Sequence, residues 1–165
     1  MPSSTALGQR QFWLMKSEPA ECSILDLARA PQATLPWVGV RNYQARNFMR
    51  DSMAVGDGVL FYHSSCAEPG IAGLAQVASA AYPDATQFDA ASPYFDAKAR
   101  PDAPRWLHVD VRWVATTPLL SLPRMRQTPE LSDMLVLKPG NRLSITPVSA
   151  LHWHTITALL GHSER

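Results

Sequence analysis

At 165 residues, 46% hydrophobic and 18% charged, the chain is sized and composed for one folded domain with its own core, not for a disordered tail. A formal net charge of +1 leaves no broad basic surface for tracking a phosphate backbone, so any contact with nucleic acid is expected to be local. No apolar run approaches the roughly 18 residues of a membrane span, and no basic-then-apolar signal pattern opens the chain.

Residues 1–11 read as a short flexible lead before a single domain over 12–162, expected in the cytoplasm, or in the nucleus of a eukaryote. Fourteen spread prolines predict many short elements joined by turns. Phe12 to Lys16 is a first strand, ended by Ser17-Glu18-Pro19. Ser23 with Asp26 three residues on has the capping-box form and starts a helix to about Ala30. Asn42 caps a second helix through Asp51, with Ala45, Phe48 and Met49 facing the core.

Strands follow over Gly58–His63, Ile71–Ala78 and Trp106–Ala115. In the last, Leu107, Val109, Val111 and Trp113 share one face, with His108, Asp110 and Arg112 on the other. The aperiodic stretch Tyr82 to Pro104 reads as a long loop, a lid or mobile connector. Helices are expected over Ser121–Gln127 and Pro129–Leu137, a strand over Arg142–Pro147, and a final helix capped by Ser149 and closed by Gly161. The order gives an α+β domain, read as a small curled barrel.

The densest chemistry lies in Trp37 to Asn47, which holds Trp37, Arg41, Asn42, Tyr43, Gln44, Arg46 and Asn47. Flat rings stack on planar ligands, and Arg and Asn bond their edges in plane, which suits a nucleobase. Trp37 sits in a turn, where its large apolar area serves a core as well as a ligand. The arginines taken singly are an ordinary solvated face. Lys16 and Ser17, at a strand end, offer a cation and a hydroxyl to a base, or are simply solvated.

Catalytic and metal patterns are missing. His63 and Ser64 are adjacent in a strand, point to opposite faces and cannot form a base–nucleophile pair. His152-Trp153-His154 lies in a capped helix, where residues two apart diverge by about 200°, so no metal is expected there. No cofactor loop appears. Cys22 and Cys66 form no CxxC pair; counting allows a disulfide, but two buried thiols of an intracellular chain are the expectation.

Seven blocks in register resemble the EVE domain family: 12–19, Trp37 to Asn47, Tyr62-His63-Ser64, Gly70 to Gly73, Tyr82-Pro83-Asp84, Ser92 to Asp96, and Arg142 to Val148. That resemblance implies a PUA-like fold, a small mixed β-barrel with short helices packed around it. EVE domains are similar to YTH domains, which read methylated adenine in RNA through an aromatic cage, and are linked to altered bases in DNA.

The resemblance places Lys16 and Ser17 at the strand end lining a pocket, Trp37 as a wall, Asn42 and Asn47 near the rim, and His63 and Ser64 on another side. Arg41, Tyr43 and Tyr94 complete the expected set. The expected function is a non-catalytic reader of a modified base in DNA or RNA, without metal or cofactor. Two alternatives stand beside it: a nucleotide-processing enzyme using His63 and a loop aspartate, and an interaction module that recruits a nuclease or repair partner.

Overall fold

The first strand shows how the molecule is built. Phe12, Trp13, Leu14 and Met15 are all buried, so both faces of β1 (Phe12–Ser17) are covered. Phe12 and Leu14 join one hydrophobic cluster; Trp13 and Met15 join a second on the opposite face. The structure, a computed structural model, describes residues 10–162.

Further strands are β2 (Thr34–Pro36), β3 (Gly58–His63), β4 (Gly70–Val77), β5 (Tyr82–Pro83), β6 (Leu107–His108), β7 (Asp110–Ser121) and β8 (Ile145–Val148). Six of them form one mixed sheet in the order β2-β7-β4-β3-β1-β8, and β5 pairs with β6. Only β1 and β3 run parallel, in register from Phe12 beside Gly58 to Ser17 beside His63. Register irregularities interrupt the β3–β4 ladder at Phe61/Tyr62 and the β4–β7 ladder at Ile71/Gly73 and Leu74/Ala75.

The helices are short. They are α1 (Ile24–Arg29), α2 (Tyr43–Asn47), α3 (Leu122–Arg126) and α4 (Ala150–Leu159). Ser23 and Asp26 close the predicted capping box on α1, which buries Ile24 and Leu27 in the Trp13 cluster. Ser149 caps α4, whose Trp153 stacks on Phe12 at 4.6 Å. Gly58 makes that stack possible, because a Cβ there would lie 2.6 Å from the Trp153 ring.

Several expectations are corrected. The helix predicted from Asn42 to Asp51 is α-helical only to Asn47 and continues as a π-helical turn, Phe48–Ser52. Pro129 to Leu137 forms two three-residue 3-10 turns, not a helix, because Met134 between them is extended and buries its side chain. The strand expected from Trp106 to Ala115 breaks at Val109 and resumes as far as Ser121. That break shifts the alternation: His108, expected on the polar face, is buried.

The 82–104 stretch is not structureless. It contributes β5 and a 3-10 turn, Ala85–Phe88, and fully buries Asp84 and Gln87. Gln87 earns its burial by bonding the backbones of Asp84, Arg105 and Trp106. β2 carries no two-residue alternation long enough to predict. Most of the expected lead, residues 1–9, lies outside the described residues. Arg10 and Gln11, its described part, bond Gly56, Asp57 and Ser52. No helix among the described residues is long and apolar enough to cross a membrane.

Candidate functional site

A cavity of about 500 Å³ opens where the C-terminal end of β1 meets the segment after β2. Its size is within the usual range for small-ligand sites. Lys16 and Ser17 line it from β1, Trp37 to Val40 from the turn after β2, Ser64 and Ser65 from the end of β3, and Tyr94 from the 82–104 stretch. The parallel pairing explains the first meeting, since it sets Ser17 beside His63, and the Ser64 N–H then donates to the Ser17 carbonyl at 2.9 Å. The segment before β8 closes another side with Asn141, Arg142 and Ser144, where the Lys16 N–H donates to the Ser144 carbonyl at 2.8 Å.

Trp37 is half-buried. Its ring packs edge-on to Phe61 at 5.4 Å, so one side belongs to the core while the residue still lines the cavity, and its backbone N–H donates to the Val109 carbonyl. Tyr94 reaches the same cavity from 57 positions further along, which makes its anchoring informative. Its hydroxyl donates to the Glu21 carboxylate, at 2.8 Å from Oε1 and also in contact with Oε2. Burial pushes that hydroxyl up to about 12, and Glu21 adds to the shift, so Tyr94 stays a neutral donor near pH 7.

Gly39 makes the approach possible. Its φ is +86°, and a Cβ there would meet the Tyr94 ring at 2.6 Å.

Arg41 and Asp84 fix this corner from behind. Arg41 donates from Nε and Nη2 to the Tyr94 carbonyl at 3.0 and 2.8 Å, from Nη2 to Thr86 Oγ1, and from Nη1 to Asp84 at 3.2 Å. The Asp84 carboxylate also accepts from the Gly39 and Thr86 N–H groups at 2.9 Å. Burial opposes its ionisation, but the hydrogen bonds from Gly39, Thr86 and Arg41 outweigh that, and the carboxyl is held below its ordinary value. Arg41 therefore positions Tyr94 and does not line the cavity.

The lining pairs two cations, Lys16 and Arg142, with two carboxylates, Glu18 and Glu21. Burial pushes the Lys16 ammonium below the ordinary lysine value. Such a mixed rim offers both donors and acceptors to a planar ligand and makes a poor track for phosphates.

Of the ten residues singled out from sequence, Lys16, Ser17, Trp37, Ser64 and Tyr94 meet at this cavity. Asn42, Tyr43, Asn47 and His63, like Arg41, do not line it. Asn42 caps α2 by accepting from the Ala45 N–H. Tyr43 stacks on Trp106 at 4.7 Å, and Asn47 accepts twice from Arg46. His63 accepts the Ile24 N–H at 3.1 Å through Nε2, with its ring edge-on to Phe61. Ser64, just past the end of β3, lines the cavity while His63 does not, so the two are not brought to one site.

Glu18, Glu21, Asn141, Arg142 and Ser144 were not anticipated. Glu18 continues the Lys16-Ser17 run and was within reach of a sequence argument; the others come from segments that only the fold brings near. Cys22 also lines the cavity. Both cysteines are free and half-buried, more accessible than expected. Burial, with Asp26 and Glu21, pushes the Cys22 thiol up. The His152-Trp153-His154 run is helical: Trp153 is buried, His152 pairs with Asp133 at 2.8 Å, and His154 is exposed. Among the described residues no three His, Cys, Asp or Glu side chains gather as a metal site.

The EVE domain model matches residues 11–159. Thymocyte nuclear protein 1 of Homo sapiens is 41% identical over 164 residues, spanning 89% of this chain and 72% of that protein. The crystal structure of the human THYN1 protein in complex with 5-methylcytosine containing DNA superposes with a TM-score of 0.85 at 39% identity, covering 93% of this chain and 99% of that one. A crystal structure from Pseudomonas putida is 52% identical with a TM-score of 0.85, covering 90% and 98%. The YTH domain of the Zygosaccharomyces rouxii MRB1 protein, bound to N6-methyladenosine RNA, shares 14% identity and a TM-score of 0.55 over 94% of this chain and 90% of that one, a likeness of fold alone. With a PUA-like α+β fold and a match along nearly its whole described length, the chain belongs to the EVE domain family.

Proposed function

We propose that the protein is a non-catalytic reader that seats one modified nucleobase, a modified cytosine or another methylated base of DNA or RNA, in the 500 Å³ cavity. One observation carries the reading: Trp37 and Tyr94, from segments far apart in sequence, line the same cavity together with Lys16, Glu18 and Arg142. Trp37 supplies the stacking surface and Tyr94 the opposing wall. Lys16, Ser17 and Ser64 offer donors to a ring carbonyl or nitrogen, and Glu18 an acceptor for an exocyclic amine. The 5-methylcytosine containing DNA bound by the human THYN1 protein supports a base of that kind. His63, tied to the Ile24 N–H, favours binding over turnover.

Stacking a base on an aromatic ring is worth about 1–3 kcal/mol. Burying one methyl-sized group adds about 0.8 kcal/mol, near a fourfold preference. A base inside a duplex must also be flipped out at a cost of a few kcal/mol, so single strands are the better probe. Fluorescence anisotropy titration with matched single-stranded oligonucleotides, one carrying 5-methylcytosine and one cytosine, is expected to show about four- to tenfold tighter binding of the methylated strand. Equal affinity for the two, and for other single-base modifications in the same frame, would remove the reading.

A further inference from the structure

Outside the cavity, the Trp37–Asn47 segment builds a second planar surface. Trp106, nearly buried, stacks on Tyr43 with ring centroids 4.7 Å apart and planes 26° from parallel. The Arg46 guanidinium carbon lies 4.7 Å from the centroid of the same Tyr43 ring. Arginine side chains are ordinarily mobile, and this one is locked. Nε and Nη2 donate to Asn47 Oδ1 at 3.1 and 2.9 Å, and Nη1 donates to the Arg105 carbonyl at 2.9 Å.

All of these acceptors are neutral, and the carboxylate whose charge Arg46 feels, Asp51, is hydrogen-bonded to Arg50 instead. Arg46 stays partly exposed and Tyr43 is 49% exposed, so the stack runs from the core to the surface.

Arg41 couples this stack to the cavity, with its guanidinium carbon 5.5 Å from the Trp106 ring and 5.6 Å from the Tyr94 ring. Val40 lines the cavity, and Tyr43 follows three residues later, within about 10 Å of extended chain. Stacked nucleotides rise about 3.4 Å each, so the two surfaces are within a few nucleotide steps. Guanidinium planes are established stacking partners for unpaired bases.

We propose that Arg46, held over the Tyr43 ring by Asn47 and the Arg105 carbonyl, is a docking platform for a base flanking the modified one on the same strand. This rests on the cavity holding the modified base. The platform adds affinity mainly through stacking, with little selectivity among flanking bases.

The test is a coupling measurement. Two single-stranded oligonucleotides carry one 5-methylcytosine; in the second, the nucleotides on either side of it are abasic, with phosphates kept. The wild type is expected to bind the abasic strand about tenfold more weakly. Arg46→Lys keeps the charge and loses the plane, so it should bind both strands alike, within about twofold, at the wild type's abasic level.

Asn47→Ala leaves the guanidinium but frees it, and should give an intermediate difference. Thermal melts of each variant guard against unfolding. An equal loss on both strands by Arg46→Lys, a full abasic penalty retained by it, or no abasic penalty in the wild type would overturn the platform. Unchanged binding of both strands by Trp37→Ala would instead overturn the cavity reading beneath it.

Discussion

Trp37→Ala is expected to weaken binding of a 5-methylcytosine oligonucleotide by about 5- to 150-fold while leaving the fold intact, because one aromatic stack contributes about 1–3 kcal/mol. The fold should survive because Trp37 sits at the edge of its hydrophobic cluster, and its strand-like bond to the Val109 carbonyl is made by the backbone. Trp37→Phe keeps a smaller flat surface and should fall between. Circular dichroism and a denaturant titration separate a lost ring from a lost fold. A folded Trp37→Ala protein with wild-type affinity would mean that the ring is merely core.

Asp84→Ala is expected to cost about 3 kcal/mol of stability, read by chemical denaturation. The Asp84 carboxylate is fully buried, and it collects the Gly39 and Thr86 N–H groups, the Thr86 hydroxyl and Arg41, whose side chain keeps 22% exposure. Removal strands those donors and leaves Arg41 without its counter-charge. Solvent access at Arg41 puts the cost toward the low end of broken buried pairs.

The pH dependence follows from the sign of the shift. The folded carboxyl is held below its unfolded value, so the stabilisation is fully present above about pH 4 and is lost as pH falls through the lowered folded value. The stability gap between wild type and Asp84→Ala should therefore narrow on acidification below about pH 4. A gap independent of pH would mean that the carboxylate charge contributes nothing. Affinity should fall with stability, since Gly39 and Arg41 together seat Tyr94 against the cavity.

Local chemistry made much of this fold legible. Capping residues announced α1, α2 and α4, because a side-chain oxygen on a free N–H is a three-residue event. Burial of all of Phe12 to Met15 follows from an uninterrupted apolar run. What stayed hidden depends on partners distant in sequence. His108 is buried because the chain breaks phase at Val109, a bend that alternation alone cannot register. Gln87 and Asp84 are core residues only because backbone groups converge on them.

The site divides the same way. Lys16, Ser17, Trp37, Ser64 and Tyr94 carry chemistry suited to a planar ligand and also meet in space. Asn42, Tyr43, Asn47 and Arg41 carried similar chemistry, but a cap, a stack, an arginine clamp and a buried carboxylate claim their polar groups or faces. Residue type shows what a side chain can bond; the fold decides whether that capacity is already occupied. Arg142 and Ser144 join Lys16 only through the antiparallel pairing of β8 with β1, which no local pattern specifies.

The central claim is that one base occupies the cavity between Trp37 and Tyr94. A crystal structure of the protein with a single-stranded 5-methylcytosine oligonucleotide tests it directly. The expected result is the methylated base stacked on the Trp37 ring inside the cavity, with its edge bonded by side chains from the end of β1. An oligonucleotide bound elsewhere, with the cavity holding only solvent, would contradict it.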